Sequence, residues 1–321
     1  MTKDFLEEKK REQASILKEY RTSLFDNATD IGYSEKNNEW FDYFIKPQES
    51  NKNLYKGIRE EAIAYFKKYG IAWWQCLNEP NEPTGHMVSS QINCLNHLFA
   101  IRTDEKAVRL IIEKVTGIQF DEILPSLIDN DEHSFISFEF TLDNDKLLGE
   151  NDEGWGRGIL CTSIDVMIIA RKGEKKWLIP IEWKYTESYK KEDKTNQTRM
   201  DRYAHLIEVS TQLRVPEDGI AHSNYFSEPN YELMRQTLLC EQLVKNGYAD
   251  YFFHINIIPT EHTELRSVVE KEFVPMLKDS SKFCIIDPHD LLAPIEQEVI
   301  NNTYEEYKDL INYRQTRYWK K

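Results

Sequence analysis

Residues 163–187 read SIDVMIIARKGEKKWLIPIEWKYTE, two apolar runs separated by a short charged segment. β-branched and aromatic runs that flank a Gly-containing turn predict a β-hairpin. With Gly173 and Glu174 as a two-residue loop, a type II′ turn is favoured, because Gly accepts the positive φ of the first position. The register follows from this turn. The numbers of paired residues sum to 347, which sets Asp165 opposite Glu182.

Three polar side chains are expected on one face of this hairpin. Opposed residues of an antiparallel pair share a face, with Cβ atoms ~5 Å apart, and period-two alternation adds Lys184 to that face. Two like charges at this spacing are unfavourable unless a cation lies between them. Carboxylate oxygens suit Mg²⁺ or Mn²⁺, and the lysine favours chemistry on an anionic substrate. Asp165, Glu182 and Lys184 are therefore the candidate catalytic residues, with Asp165 and Glu182 as metal ligands.

This arrangement resembles the PD-(D/E)xK nuclease superfamily, whose signature is an acidic residue on one strand and Glu-x-Lys on the next. The surrounding residues are similar to those of a group of uncharacterised bacterial proteins assigned to that superfamily. The resemblance extends over roughly residues 70–260, and its segments are Ser89-Ser90-Gln91 with Asn93, Cys94 and Asn96, then 162–165, 181–189, and 231–236 with Leu238 and Leu239. Ile164 replaces the proline of the signature's name, a position that varies in the superfamily.

The resemblance implies a restriction-endonuclease-like α/β fold, in which helices flank a mixed central β-sheet and additional helices lie at both ends of the chain. Periodicity alone indicates only an α/β protein with a mixed sheet. In the implied mechanism the metal at Asp165 and Glu182 polarises the scissile phosphate and activates a water. Lys184 orients that water or neutralises the phosphoryl oxygens, and the main-chain carbonyl of Trp183 is a further ligand by resemblance. DNA is the substrate that the resemblance favours, in defence or repair.

Weaker candidates lie on neighbouring elements. Glu139, on the strand before the hairpin, is a candidate metal ligand or an acceptor behind the ligands, and a solvent-facing glutamate is the equal alternative. Arg235 and Gln236 interrupt an otherwise apolar helix, and Tyr231 precedes Arg235 by one turn. These three residues and Gln91 are candidate substrate contacts. An ordinary position on a helix surface is the alternative for each of them.

Composition restricts the function further. No apolar run reaches the ~18 residues of a membrane span, and the first residues lack the apolar stretch of a signal peptide, so a cytoplasmic protein is expected.

The net charge of −14 counts against a protein that coats nucleic acid through bulk electrostatics. Residues 171–202, however, hold ten Lys or Arg against six Asp or Glu. A solvated surface is the usual reason for such a segment, and a contact with the phosphate backbone is the alternative.

Residues 1–321 are expected to form a single nuclease-like domain, with its core at about 86–260 and a helical N-terminal elaboration over 1–70. Asn230 is expected to cap a helix that Gly247 ends, and one C-terminal helix is expected over 291–316.

The leading interpretation is a Mg²⁺- or Mn²⁺-dependent nuclease that acts on nucleic acid. Two rivals stay open. One is a catalytically silent protein of the same fold that serves as a nucleic-acid-binding or scaffold subunit. The other is an enzyme that is active only within a larger complex, which the acidic net charge would fit. A protein partner or a homo-oligomer is compatible with each interpretation, whereas a membrane is not expected.

Overall fold

The computed structural model describes residues 5–74, 82–150, 156–157, 161–187, 192–215 and 221–319. The strands in chain order are β1 (Asp30–Ser34), β2 (Glu39–Ile45), β3 (Glu122–Leu124), β4 (Ser137–Phe140), β5 (Ile164–Lys172), β6 (Lys175–Trp183), β7 (Tyr251–Phe252), β8 (His254–Ile257) and β9 (Phe283–Ile286).

The α-helices in chain order are α1 (Phe5–Glu19), α2 (Arg21–Phe25), α3 (Arg59–Tyr69), α4 (Ser90–Leu98), α5 (Glu105–Thr116), α6 (Asn144–Leu147), α7 (Gln197–Glu208), α8 (His222–Tyr225), α9 (Asn230–Lys245), α10 (Thr263–Val268), α11 (Pro288–Ile300) and α12 (Lys308–Tyr318). Short 3₁₀ segments lie at Pro47–Asn53, Phe99–Ile101, Val274–Met276, Ser280–Lys282 and Glu305–Tyr307, and a π-helical turn lies at Val269–Phe273.

The chain divides into two compact units. The first comprises Met1–Arg102, Lys184–Glu187 and Pro288–Lys321, and the second comprises Thr103–Trp183 and Ser188–Asp287. A single domain over 1–321 stays a prediction.

A mixed seven-stranded sheet forms the centre of the second unit. Its order is β3-β5-β6-β8-β9, with β4 also pairing with β5 and β7 with β6. The β5–β6 pair is antiparallel, whereas β8 is parallel to both β6 and β9. Parallel neighbours need a long crossover, and α7, α8 and α9 lie between β6 and β8 in the chain. The predicted class, an α/β protein with a mixed central sheet flanked by helices, is confirmed.

The β5–β6 hairpin has the predicted register. Its pairs run from Val166–Ile181 to Lys172–Lys175, and the residue numbers of every pair sum to 347. Gly173 at the first loop position has a φ of +59°, a conformation that glycine adopts without steric cost. Asp165 and Glu182 are the next two residues in this register, at the end of the hairpin opposite the turn.

Helix α9 packs on one face of the sheet. Met167 of β5 and Leu178 of β6 point to this face and share a buried cluster with Leu238 of α9. Burying an aliphatic side chain of this size contributes about 1.5–3 kcal/mol. By the alternation of each strand, Asp165 and Glu182 stand on the same face as these apolar residues.

Helix α9 begins differently from its prediction. Asn230 does not cap the helix, so that prediction is wrong. It is the first helical residue, and its side-chain amide donates instead to the main-chain oxygen of Asn224 (3.1 Å). Gly247 follows the end of the helix with a φ of +81°, as expected for a residue that stops a helix.

The two ends of the chain also differ from expectation. The single C-terminal helix predicted over 291–316 is two helices, α11 and α12, because Asn302 has a left-handed φ of +58° that an α-helix does not admit. The region 1–70 holds the β1–β2 hairpin besides its helices. Within the described residues, no helix combines the length and apolarity of a membrane span.

Candidate active site

Asp165 lies where β5 and β6 separate. Its Oδ2 accepts a hydrogen bond of 2.7 Å from the main-chain N–H of Trp183. In a regular antiparallel ladder an N–H that faces the partner strand bonds to a main-chain carbonyl. Here the Asp165 side chain takes the place of that carbonyl, so its carboxylate is fixed at the open end of the hairpin.

Glu182 is buried, with 1% of its surface exposed. The side-chain amide of Gln236 on α9 donates to Glu182 Oε2, and also to the main-chain oxygen of Ser163 at 3.3 Å. A buried carboxylate requires such donors. Gln236 is itself fully buried, and its Oε1 has no donor within the described residues. The structure therefore brings together Glu182 and Gln236, two of the residues that the sequence singled out.

Strand β8 adds a polar residue that sequence reasoning missed. Asn256 is the cross-strand neighbour of Glu182 in the parallel β6–β8 pair. It is 2% exposed, and its Oδ1 has no donor in the described part of the chain. Buried polar groups are almost always hydrogen-bonded, so this oxygen is available to a ligand. A lone amide in the apolar run 251–258 was the signal that could have found it.

Glu139 completes a row of acidic residues across three strands. The pairs Phe138–Val166 and Phe140–Ile164 set Glu139 across from Asp165. However, Glu139 has a left-handed φ of +49°, which interrupts the regular alternation of β4. Among the described residues, no three His, Cys, Asp or Glu side chains gather to form a metal centre. A role for Glu139 as a ligand stays a prediction.

The distorted backbone of β4 is held by an arginine that the sequence did not single out. Arg157 donates to the main-chain oxygens of Phe138 (2.5 Å) and Glu139 (3.2 Å) and forms an ion pair with Asp129 (3.1 Å). The Asp129 side chain is fully buried. Because these partners are far apart in the chain, no local pattern could have revealed them.

Two predicted site residues belong to the first unit. Lys184 directly follows the last residue of β6 and is 7% exposed. Gln91 lies on α4, where its amide bonds to the main chain of Ala72 (3.2 Å) and Trp74 (2.9 Å). These bonds tie the segment before the helix to α4, which is a structural role. A substrate contact by Gln91 stays a prediction.

Arg235 and Tyr231 join a buried network in the second unit. Arg235 Nη1 donates to Thr162 Oγ1 at 3.1 Å, and its guanidinium lies 4.7 Å from the ring centroid of Tyr231. The hydroxyl of Thr162 donates to buried Glu150, which also accepts from the Tyr203 hydroxyl at 2.7 Å. Burial, and then the nearby Glu150 carboxylate, raise the pKa of Tyr203 far above its ordinary value. The phenol therefore stays a proton donor, and the network fixes the segment that enters β5.

The chain matches one family over nearly its whole length. Residues 18–319 match a family model described as Restriction Endonuclease associating with ARP. No curated protein and no solved structure matches the chain. The match agrees with the mixed sheet, and it confirms the predicted relationship to restriction-endonuclease-like proteins. The chain belongs to this restriction-endonuclease-like family, Restriction Endonuclease associating with ARP.

Proposed function

We propose that the protein is a divalent-metal-dependent nuclease that hydrolyses phosphodiester bonds, with Asp165, Glu182 and Lys184 as its catalytic residues. The pair of carboxylates at the open end of the β5–β6 hairpin carries this proposal. Each carboxylate accepts a hydrogen bond from a fixed donor, the Trp183 N–H for Asp165 and the Gln236 amide for Glu182. Side chains held in this way suit a preorganised reaction site, and membership of the family supports a nuclease.

The residues fit Mg²⁺ or Mn²⁺. Asp165 and Glu182 offer charged oxygens, and Gln236 and Asn256 offer buried amide oxygens that lack donors within the described residues. Mg²⁺ is commonly held by one or two carboxylates and keeps several waters, so two acidic ligands suffice. Glu139 is proposed to lie outside the direct ligands of the metal and to accept a hydrogen bond from one of them. The ion, when bound, would supply positive charge at the scissile phosphate and lower the pKa of a water.

The chain's own residues orient the reacting groups. The Lys184 ammonium would hold the attacking water or neutralise charge that develops on the phosphoryl oxygens. Gln236 keeps the Glu182 carboxylate in one orientation, and the Trp183 N–H does the same for Asp165. The site therefore needs little reorganisation during the reaction. Burial of Glu182 also strengthens electrostatic interactions around it, because the local dielectric constant is lower than in water.

DNA is the proposed substrate, and ARP is the proposed partner, because the family description names a restriction endonuclease and ARP. The net charge of −14 supports a partner, since such a protein does not attract nucleic acid through its overall charge. We propose that the protein acts in the cytoplasm, in defence or repair.

Cleavage of labelled DNA and RNA tests the proposal, in Mg²⁺, in Mn²⁺ and in EDTA. The wild type is expected to cut only when a metal is present. Asp165→Asn keeps an acceptor for the Trp183 N–H but removes the charge, and we expect a loss of about 10³-fold or more in rate. Lys184→Ala is expected to reduce the rate by about 10²-fold or more.

Matched controls lie near the turn of the same hairpin, Lys176 on β6 and Asp250 in contact with it. Asp250→Asn and Lys176→Ala remove equivalent charges near the turn and are expected to cleave at the wild-type rate. Equal rates for all variants would reject the assigned residues. A wild type that stays inactive with every metal and substrate would instead support the silent scaffold.

A further inference from the structure

Two arginines of the second unit converge on one aromatic ring. The guanidinium carbons of Arg199 on α7 and Arg235 on α9 lie 5.1 and 4.7 Å from the ring centroid of Tyr231. The two cations are therefore within about 10 Å of each other. The Tyr231 ring is fixed by an edge contact with Tyr203 (6.0 Å between centroids) and by Phe226 (5.8 Å).

Within the described residues, neither arginine forms an ion pair. The side chain of Arg199 donates from Nη1 to the main-chain oxygen of Lys194 (2.8 Å), and that of Arg235 donates to Thr162. The Nε of Arg235 is buried and has no acceptor. A guanidinium has five N–H donors, so both side chains keep donors for a ligand. Arg171 of the same unit, by contrast, pairs with Glu122 at 2.6 Å.

Like charges this close repel each other, and for Arg235 the nearby carboxylates of Glu150 and Glu232 reduce that repulsion. The face of the Tyr231 ring offsets part of that repulsion through cation–π attraction. Both arginines are half-buried, so part of each side chain is exposed to solvent. A phosphate would neutralise the pair and accept hydrogen bonds from two planar guanidiniums, the geometry that arginine provides best.

Arg235 lies next to residues that neighbour or hold the two proposed catalytic carboxylates of the second unit. Arg235 precedes Gln236, whose amide bonds to Glu182. Arg235 also bonds to Thr162, which is three residues before Asp165. Arg199 belongs to the locally basic segment 171–202, and the proposed chemistry gives Arg199 itself no role. A phosphate held by this pair would therefore lie beside the scissile phosphate.

We propose that Arg199, Tyr231 and Arg235 form a subsite for a backbone phosphate of the nucleic acid next to the bond that is cut. The subsite rests on the proposed nuclease function, and it adds Arg199 as a residue that positions the substrate. Phosphate contacts of this kind fix the register of the backbone but do not read base sequence. They therefore act equally on every sequence.

Fluorescence anisotropy of a labelled DNA duplex measures the subsite directly. Binding is followed at several salt concentrations in EDTA, in the uncleaving Asp165→Asn protein. Adding Arg199→Gln is expected to weaken binding about fivefold to tenfold for each sequence, and to lower the salt slope by about one. Arg171→Gln removes the same charge at the turn end of β5 and is expected to change affinity less than about twofold.

If Arg199→Gln and Arg171→Gln weaken DNA binding equally, the subsite is overturned. The absence of DNA binding by the protein would also overturn it. Arg199→Lys keeps the charge without the planar fork, and an intermediate affinity is expected. Thermal melting shows whether each variant folds. If Arg199→Gln does not fold but Arg199→Lys does, a DNA affinity of Arg199→Lys equal to that of the wild type overturns the subsite.

Cleavage by the wild type separates the two proposals. A protein that cuts but binds independently of Arg199 refutes only the subsite, and one that binds through Arg199 without cutting refutes only the nuclease.

Discussion

The two ends of the β5–β6 hairpin hold charged residues in opposite environments. At the turn, exposed Lys175 pairs with Asp250 at 2.7 Å, and the strand residues around it face solvent. At the open end, Glu182 is buried and Asp165 is half-buried, and each is held by a hydrogen bond from the protein. Exposed ion pairs contribute little to stability, whereas a buried carboxylate is unfavourable without donors. The end with the unfavourable charges is the end where we propose that chemistry occurs.

Glu182→Gln is expected to separate activity from stability most strongly. The substitution removes a buried charge and leaves an acceptor for the Gln236 amide. Cleavage should fall by about 10³-fold or more, while the melting temperature stays the same or rises, because a desolvated charge is lost. Rates and thermal melts of the same preparations measure both effects.

Glu174→Gln is the matched control for that variant. Glu174 is exposed in the turn of the same hairpin, so neither the rate nor the melting temperature should change. If the melting temperature of Glu182→Gln falls together with its cleavage rate, the Glu182 carboxylate serves the fold and not the reaction.

Gln236→Leu is expected to have a smaller effect on both properties. It leaves buried Glu182 without the donor from α9, which should lower stability by about 1–3 kcal/mol. Cleavage should fall about 10- to 100-fold, because the carboxylate is no longer held in one orientation. Gln242→Leu, farther along the same helix and only half-buried, is the comparison. Equal effects of the two variants would remove the proposed role of Gln236.

Lys175→Gln is expected to have the smallest effect. Lys175 lowers the pKa of Asp250 through a side-chain hydrogen bond, and its own pKa is raised by the same bond. Because the Asp250 pKa is lowered on folding, the pair stabilises the protein above pH 3.8, and the effect is lost as the pH falls through the lowered pKa. The variant should melt no more than about 2 °C lower at neutral pH, and the difference should shrink in acid. A difference that grows in acid would contradict this assignment.

The hairpin could be predicted because its determinants are local. Gly173 in a two-residue loop sets the register, and once the register is set, alternation decides which residues share a face. Asp104 and Gly117 likewise bound α5 through local capping. The same local reasoning failed at Asn230, where the amide bonds to Asn224 across a turn instead of capping its own helix.

The surroundings of the carboxylates could be predicted only in part. Gln236 was found because it interrupts an apolar helix, and its bond to Glu182 gives that interruption a reason. The left-handed backbone of Glu139 gave no signal, because its support comes from Arg157, far along the chain. Arg199 gave no signal either, since a basic segment by itself is usually only a solvated surface.

The sequence by itself determined the α/β class, the hairpin register and the positions of Asp165 and Glu182 at the open end of the hairpin, because turn geometry and strand alternation act over a few residues. Only the tertiary structure decided that Glu182 is buried beneath Gln236, that Asn256 lies beside it, and that Arg199 and Arg235 share one tyrosine ring. These contacts join residues that are far apart in the chain. Burial and electrostatic fields depend on what lies near in space, and no local pattern specifies them.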